Sequence, residues 1–434
     1  MRSYGFDHPL RLARPIIMSV APNTLSFVSS RETAAVLFRL LHLQFRLSRT
    51  VAGWVPSFHS IGQQCELAQV QFEDMEAAAG IHERMTELPT GLRRAKPEGA
   101  FADLLDKLAD APTPNAFWLG VFEVMKPALV KAYARHLDQT HALMDTRTVE
   151  VLRRNLANQQ EHLQRNQIAT DHLSRGVEED AALQGWLRYL RGCVGAAGGL
   201  LGEEEATPVP DAKFPPFEVA RFMRLEPRQS QNWHGEYEPP IADARVSNYF
   251  LNTEIAAVDM LGRILFEVDD MPWEFYFDSA RHMWDEARHF RMGRTRLIEL
   301  GYDPYAYAIP VGHYTAHCHI SPLESYAELV LIGEAGSFEY KRIWKEECLK
   351  LGDEKSSIQQ DFDIVDEQRH VAYGKRWLPV LKDLQNDPRS VEEIAADGFK
   401  KMHHVLIAEM TKAGEPIHPD FLAGKNAPDW MKDV

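Results

Sequence analysis

The pentapeptide Asp285-Glu286-Ala287-Arg288-His289 returns later in the chain as Asp366-Glu367-Gln368-Arg369-His370. Each copy lies in a long run with helical periodicity, and on a helix residues three apart share a face. Glu286 with His289, and Glu367 with His370, therefore each present one carboxylate and one imidazole to a common point, which is the shape of half a metal site. The remainder calls for single carboxylates on two further helices. In residues 248–265, Glu254 lies in line with Ala257, Val258, Leu261 and Leu265, the position of a buried acid. In residues 323–345 several glutamates compete. Glu334 continues the apolar row Ala327, Val330, Leu331 and Phe338, whereas Glu339 points away from it. Glu254 stands 32 residues before Glu286, and Glu334 stands 33 before Glu367, so the region reads as one helix pair used twice. A lone E-x-x-H is most often a solvated helix face. Two copies of a five-residue pattern, each with an upstream glutamate at nearly equal distance, are not explained that way.

A glutamate from each of two helices plus E-x-x-H from each of two others is the ligand set of dinuclear carboxylate bundles. The duplicated D-E-x-R-H resembles the ferritin-like di-iron superfamily, which includes multicomponent monooxygenases, ribonucleotide reductase small subunits and N-oxygenases. The chain as a whole is similar to uncharacterised bacterial ferritin-like domain proteins. The resemblance implies two iron ions, with manganese or a mixed iron/manganese pair as the variant, held by Glu254, Glu286, His289, Glu334, Glu367 and His370. It also implies that Asp285 orients His370 and that Asp366 orients His289, fixing each tautomer. Arg288 and Arg369 are expected to brace the acids by ion pairing, since a guanidinium has no lone pair for a metal. His282, one turn before Glu286, is expected as a hydrogen-bonding neighbour of the ligands, with an extra-ligand or proton-donor role as the alternative.

The elements that would position these residues follow from periodicity. Four long helices fill residues 31–175, with breaks near Gly53 and Pro56, over 90–114, and around 140–145, and with a bend at Pro127. This first bundle has the same helix order as the second and looks like an old copy of it. It lacks E-x-x-H, however, and its polar interior candidates are Gln44, Glu73, Glu76, Glu123 and the adjacent Glu161-His162. Adjacent residues diverge by about 100° on a helix, so the expectation is a metal-free scaffold of salt-bridging residues that packs on the second bundle or dimerises. Residues 1–30 form an extension, and 176–240 a Gly- and Pro-rich connector with short helices, in which Trp233 and Tyr237 are candidates to cover the bundle mouth. The second bundle is expected over 241–388, as helices at 243–267, 273–300, 323–349 and 355–384. A further helix (391–410) and a tail complete 389–434. The fold class is thus all-α: two four-helix bundles, the C-terminal one ferritin-like. The loop 305–322 carries His313, His317 and His319 with Tyr305, Tyr307 and Tyr314. No regular spacing fixes those histidines, so a channel wall or lid is expected there rather than a second metal site.

Of 434 residues, 45% are hydrophobic and 26% charged, ordinary values for a globular chain. A net charge of −15 disfavours a nucleic-acid partner, which needs a concentrated basic surface. Cys65, Cys193, Cys318 and Cys348 make no CxxC, hence no zinc ribbon or disulfide framework, and this suits a reducing cytoplasm. The apolar patch 16–21 is too short for a signal segment or a membrane span. The chemistry implied by the resemblance is activation of dioxygen to hydroxylate, N-oxygenate or desaturate a small organic substrate, with an external electron donor, no membrane partner, and a homodimer as one assembly. The alternatives are a peroxide-consuming di-iron or di-manganese protein, a ferroxidase or metal-binding protein without organic substrate, and a metal-free helical scaffold.

Overall fold

A computed structural model describes residues 27–88, 95–175, 177, 180–226, 229, 231–232, 244–306 and 308–417. The expectations placed on the N-terminal patch, Trp233, Tyr237, Tyr307 and the tail beyond 417 lie outside the described residues. The chain is all-α, and its helices, in order, are α1 (Ser30–Trp54), α2 (Ile61–Thr86), α3 (Gly99–Lys107), α4 (Pro114–Leu119), α5 (Lys126–Gln139), α6 (Thr146–Ser174) and α7 (Ala181–Ala196). They continue as α8 (Ala244–Leu251), α9 (Ile255–Glu267), α10 (Trp273–Glu299), α11 (Gly312–His317), α12 (Pro322–Glu328), α13 (Ala335–Lys350), α14 (Glu354–Leu384) and α15 (Val391–Ala413). A two-residue parallel pairing joins Gln231–Asn232 to Ile309–Pro310.

Local chemistry starts and stops these helices where the sequence indicates. Ser29, Ser321 and Ser390 form capping boxes with Glu32, Glu324 and Glu393. Asp145 and Asp353 cap α6 and α14, and Gly414 ends α15 in a left-handed conformation. In the first bundle α1 packs on α2, α2 on α6, and α5 on α6; in the second, α9 packs on α10, α10 on α14, and α13 on α14. α7, within the connector, buries Trp186, Leu187 and Leu190 against α3 and α4. α15 covers α11 and α12.

The two bundles share one continuous apolar core, because α1 lies on α9 and α2 on α10. Buried polar contacts pin that interface. Arg49 donates to the carbonyls of Leu265 at 2.8 Å and Val268 at 2.9 Å, satisfying the end of α9. Gln71 donates to the Ala280 carbonyl at 2.9 Å.

Three expected helices differ in detail. The helix expected over 243–267 is broken: α8 ends at Leu251 and α9 starts at Ile255, with Asn252, Thr253 and Glu254 in the turn. The cause is side-chain competition for the backbone, since the Thr253 hydroxyl bonds the Phe250 carbonyl at 2.7 Å and the Asn252 amide donates to Pro304 at 3.0 Å. The helix expected over 323–349 contains a π-helical turn, Leu329–Glu334, between α12 and α13. A matching π-helical turn, Gly120–Met125, joins α4 to α5 in the first bundle, where the expected Pro127 falls at the start of α5.

Candidate metal centre

The four helical segments of the second bundle bring all six expected residues to its middle, with two more acids or imidazoles beside them. The side chains gather in two adjoining groups: His282, Glu286, Glu334 and His370 in one, and Glu254, His289, Asp363 and Glu367 in the other. Within each group one donor atom per residue lies within 4.8 Å of all the others, the spread that a single ion can draw together. Each group mixes helices that are far apart in sequence. Glu286 joins His370 and Glu334, while Glu367 joins His289 and Glu254, so the two E-x-x-H motifs cross and each straddles both groups.

The local backbone explains how the two single glutamates reach this point. Glu254 is the residue before α9, carried inward by the turn that breaks the helix. That turn sits close to α10: a Cβ on Gly293 would lie 2.4 Å from the Asn248 carbonyl oxygen, so only glycine lets α8 approach. Glu334 ends the π-helical turn, whose extra residue rotates it relative to a regular helix; such turns recur at functional sites.

In the first group His282 Nε2 lies 2.6 Å from Glu334 Oε1 and 3.5 Å from Glu286 Oε1, and His370 Nδ1 lies 3.2 Å from Glu286 Oε1. The His282 and His370 rings stack at 3.7 Å. In the second, His289 Nδ1 is 3.2 Å from Glu254 Oε2 and 3.3 Å from Asp363 Oδ1. The outward nitrogens meet acids: His370 Nε2 stands 3.4 Å from Asp285, and His289 Nε2 stands 3.4 Å from Asp366. Arg288 bridges Asp285 and Asp366, Arg281 donates to Asp285 at 2.8 Å, and Arg369 reaches Asp366 at 3.4 Å.

The donor set fits a pair of metal ions on a further observation. Glu334 Oε2 and Glu367 Oε2 are buried without a hydrogen-bond partner, and Glu254 Oε2, Glu286 Oε1, His289 Nδ1 and His370 Nδ1 face only other members of the two groups, at 3.2 Å or more and without hydrogen-bond geometry. Orphaned buried acceptors are costly, and here every one of the six expected ligands carries one.

Lys341 adds a fixed cation. Its fully buried ammonium donates to Glu367 at 2.7 Å, Asp363 at 2.9 Å and Glu254 at 3.2 Å. With all five carboxylates ionised, one ammonium leaves four negative charges, the charge of two divalent cations. Without such cations the groups compensate by taking up protons. Burial pushes the Glu254 carboxyl up to about 8 and that of Glu334 to about 7, with the Lys341 and His282 charges opposing. Burial works against the charged form of His370, but its contacts with Asp285 and Glu286 prevail and push the imidazole up to about 10. Glu286 is held well below the carboxylate range against the same burial, by His282 and His370.

Asp363 and Lys341 escaped the sequence reading, and His282 was assigned a lesser place. The signal was present: Asp363 precedes Glu367 by four residues just as His282 precedes Glu286, and Lys341 follows Glu334 by seven, all spacings that share a helix face. The loop histidines do not join either group. His317 is tied to Ser325 at 2.8 Å and to Glu328 at 3.0 Å, and His319 is exposed.

A family model described as "Protein of unknown function (DUF455)" matches residues 194–414, half of the chain, and its span contains both groups in full. The chain belongs to the DUF455 family. No curated protein and no solved structure matches it. The DUF455 match begins inside α7 and ends at the cap of α15, so it takes in the second bundle with its covering helix, while the first bundle lies outside it. Among the described residues no helix is long and apolar enough to cross a membrane.

Proposed function

We propose that this DUF455 protein is a ferritin-like oxidoreductase that holds two iron ions and uses dioxygen to oxidise a small organic substrate. The observation that carries the reading is the set of orphaned, buried donor atoms, one on each of Glu254, Glu286, His289, Glu334, Glu367 and His370, all turned into adjoining groups. Hard carboxylate oxygens with imidazoles suit iron or manganese, and a donor set without thiolate disfavours softer ions. When bound, an iron pair supplies the electrons that dioxygen needs.

The chain's own residues do the rest. Asp285 and Asp366 hold the His370 and His289 rings in one tautomer, which raises their basicity toward a metal. The arginines 281, 288 and 369 keep those two acids ionised. Lys341 neutralises the carboxylate that exceeds the charge of two divalent ions, and it holds Glu254, Asp363 and Glu367 within reach of one point. The buried setting excludes bulk water and strengthens each of these interactions. His282 gives the first group a second imidazole, so the two positions differ in donor character and are suited to different steps.

The test is oxygen consumption by iron-reconstituted protein with a chemical reductant and a panel of amines, phenols and alkanes. The reading expects substrate-dependent uptake that disappears in Glu286→Ala. Uptake that no organic compound alters, together with rapid peroxide consumption, would replace it with a peroxide-consuming protein.

A further inference from the structure

The contacts between the two bundles fit an approximate two-fold axis through their interface. α1 lies on α9 and α2 on α10, and one side-chain contact across the interface recurs with the partners exchanged. If Gln44 is matched to Glu254, then Arg49 corresponds to Asp259 and Ala52 to Gly262. If Asp74 is matched to Glu286, then Gln64 corresponds to Tyr276. Gln64 donates to Asp259 at 3.3 Å, and the exchanged pair is the Arg49 guanidinium over the Tyr276 ring at 4.7 Å. On the axis, a Cβ at Gly262 would lie 2.5 Å from the carbonyl oxygen of Ala52, its own counterpart. Reciprocal pairs, and a residue that meets its own match, are what an isologous interface requires.

The same matching carries into the bundle interiors. Lys126, Gln159 and His162 are spaced 33 and 3 residues apart, as are Glu334, Glu367 and His370, and each series begins where a π-helical turn ends. Glu73 lies 2.6 Å from His162 Nε2, in the place that Asp285 takes beside His370. Gln44 donates to Tyr133 at 2.7 Å where Lys341 donates to Glu254, and Tyr133 follows Lys126 by seven residues as Lys341 follows Glu334. What differs is charge. Glutamines stand for Glu254 and Glu367, Ala77 for His289, and Lys126 for Glu334. Of the expected ligands only Asp74 and His162 keep an acid and an imidazole, and both are buried. The Lys126 ammonium lies 2.5 and 2.6 Å from the two Asp74 oxygens, and Gln159 donates to Asp74 at 3.0 Å.

We infer that the N-terminal bundle is a second copy of the metal bundle in which the Lys126 ammonium has taken the place of a metal ion, so the chain is an internal dimer with one loaded and one silent centre. Glu161 is exposed, paired at 3.2 Å with Arg165, and plays no part. One buried carboxylate matched by one ammonium is neutral, so the silent centre has no charge left to attract a cation. The matching itself stands on geometry; the descent of the silent centre from a metal centre rests on the reading of the second bundle given above.

The experiment restores the missing donors in the full chain. In a Glu286→Gln/Glu334→Gln/Glu254→Gln/Glu367→Gln background, which takes two carboxylates from each C-terminal group, Lys126→Glu/Gln159→Glu gives the first bundle four candidate donors. The expected result is a gain of about one cobalt(II) per chain with visible absorption of bound cobalt, lost again on adding His162→Ala. In the same background the milder Lys126→Ala, which frees Asp74 and keeps the remaining packing, is expected to show a rise in melting temperature with millimolar cobalt chloride that the Lys126 parent does not show. Folded protein that takes up no cobalt in either variant overturns the inference. Failure of the unmodified chain to bind any transition metal would instead overturn the reading of the C-terminal groups, a separate outcome.

Discussion

Lys341→Met in the metal-free protein gives the sharpest quantitative test of how the centre is balanced. The substitution keeps the length of the side chain and removes an ammonium lying 2.7, 2.9 and 3.2 Å from three buried carboxylates. At about 3 Å a contact with an ionised carboxylate has ~5 kcal/mol of Coulomb attraction at an effective dielectric near 20. Desolvation offsets much of this, and removing one partner of a buried pair costs about 3–5 kcal/mol. Denaturant unfolding in the presence of a chelator is therefore expected to show a loss of that size. Because Asp363 is the carboxylate beyond the charge of two divalent ions, Asp363→Asn in the Lys341→Met background should recover at least half of the loss and leave the capacity for two ions intact. A Lys341→Met protein as stable as the parent, or one that Asp363→Asn fails to rescue, would refute the charge balance assigned to the centre.

Other consequences can be checked separately. Asp285→Asn and Asp366→Asn, which leave the ligands in place, should each weaken metal affinity by about 10- to 100-fold in a competition titration, as loss of a ring-orienting acid does. Gly293→Ala places a Cβ 2.4 Å from the Asn248 carbonyl and should cost about 1–3 kcal/mol in unfolding, while loosening the turn that carries Glu254. Burial pushes the Asp259 carboxyl well above its ordinary value, so the folded chain keeps a proton that the unfolded chain releases. The stability due to that proton is complete below the ordinary carboxylate range and declines as pH rises above about 4. Asp259→Asn should therefore become progressively more stable relative to the parent as pH rises from that range toward neutrality, measured by thermal unfolding across pH.

The helices were legible because their signals are local. The serine and aspartate caps, the proline breaks and the apolar stripes fixed most ends to within a few residues, and the 273–300 expectation differs from α10 only at its final residue. The six candidate ligands were legible for a related reason: a helix face is a fixed spacing, and the crossed pairs fall where that spacing puts them. What escaped depends on the third dimension. The seven-residue spacing puts Lys341 on the face of Glu334, but its run is dense with charges and nothing local shows that its ammonium reaches Glu254. The break at 252–254 combines a local bond from Thr253 to Phe250 with one from Asn252 to the distant Pro304, and the second is encoded by no local propensity. His162 was weighed as a ligand only together with Glu161, which diverges from it by about 100° on the helix, whereas the acid beside it is Glu73 on another helix. The composition of the connector suggested little buried surface, yet Trp186 and Leu190 of α7 are core residues.

The most direct test of the account is the number of transition-metal ions per chain after reconstitution with iron or manganese, in the unmodified protein and in Glu286→Ala and Glu367→Ala. Two ions per chain are expected in the parent and fewer in each variant, because Glu286 and Glu367 each supply a donor to one of the two adjoining groups. A folded parent that binds no ion, or variants that bind as many as the parent, would contradict it.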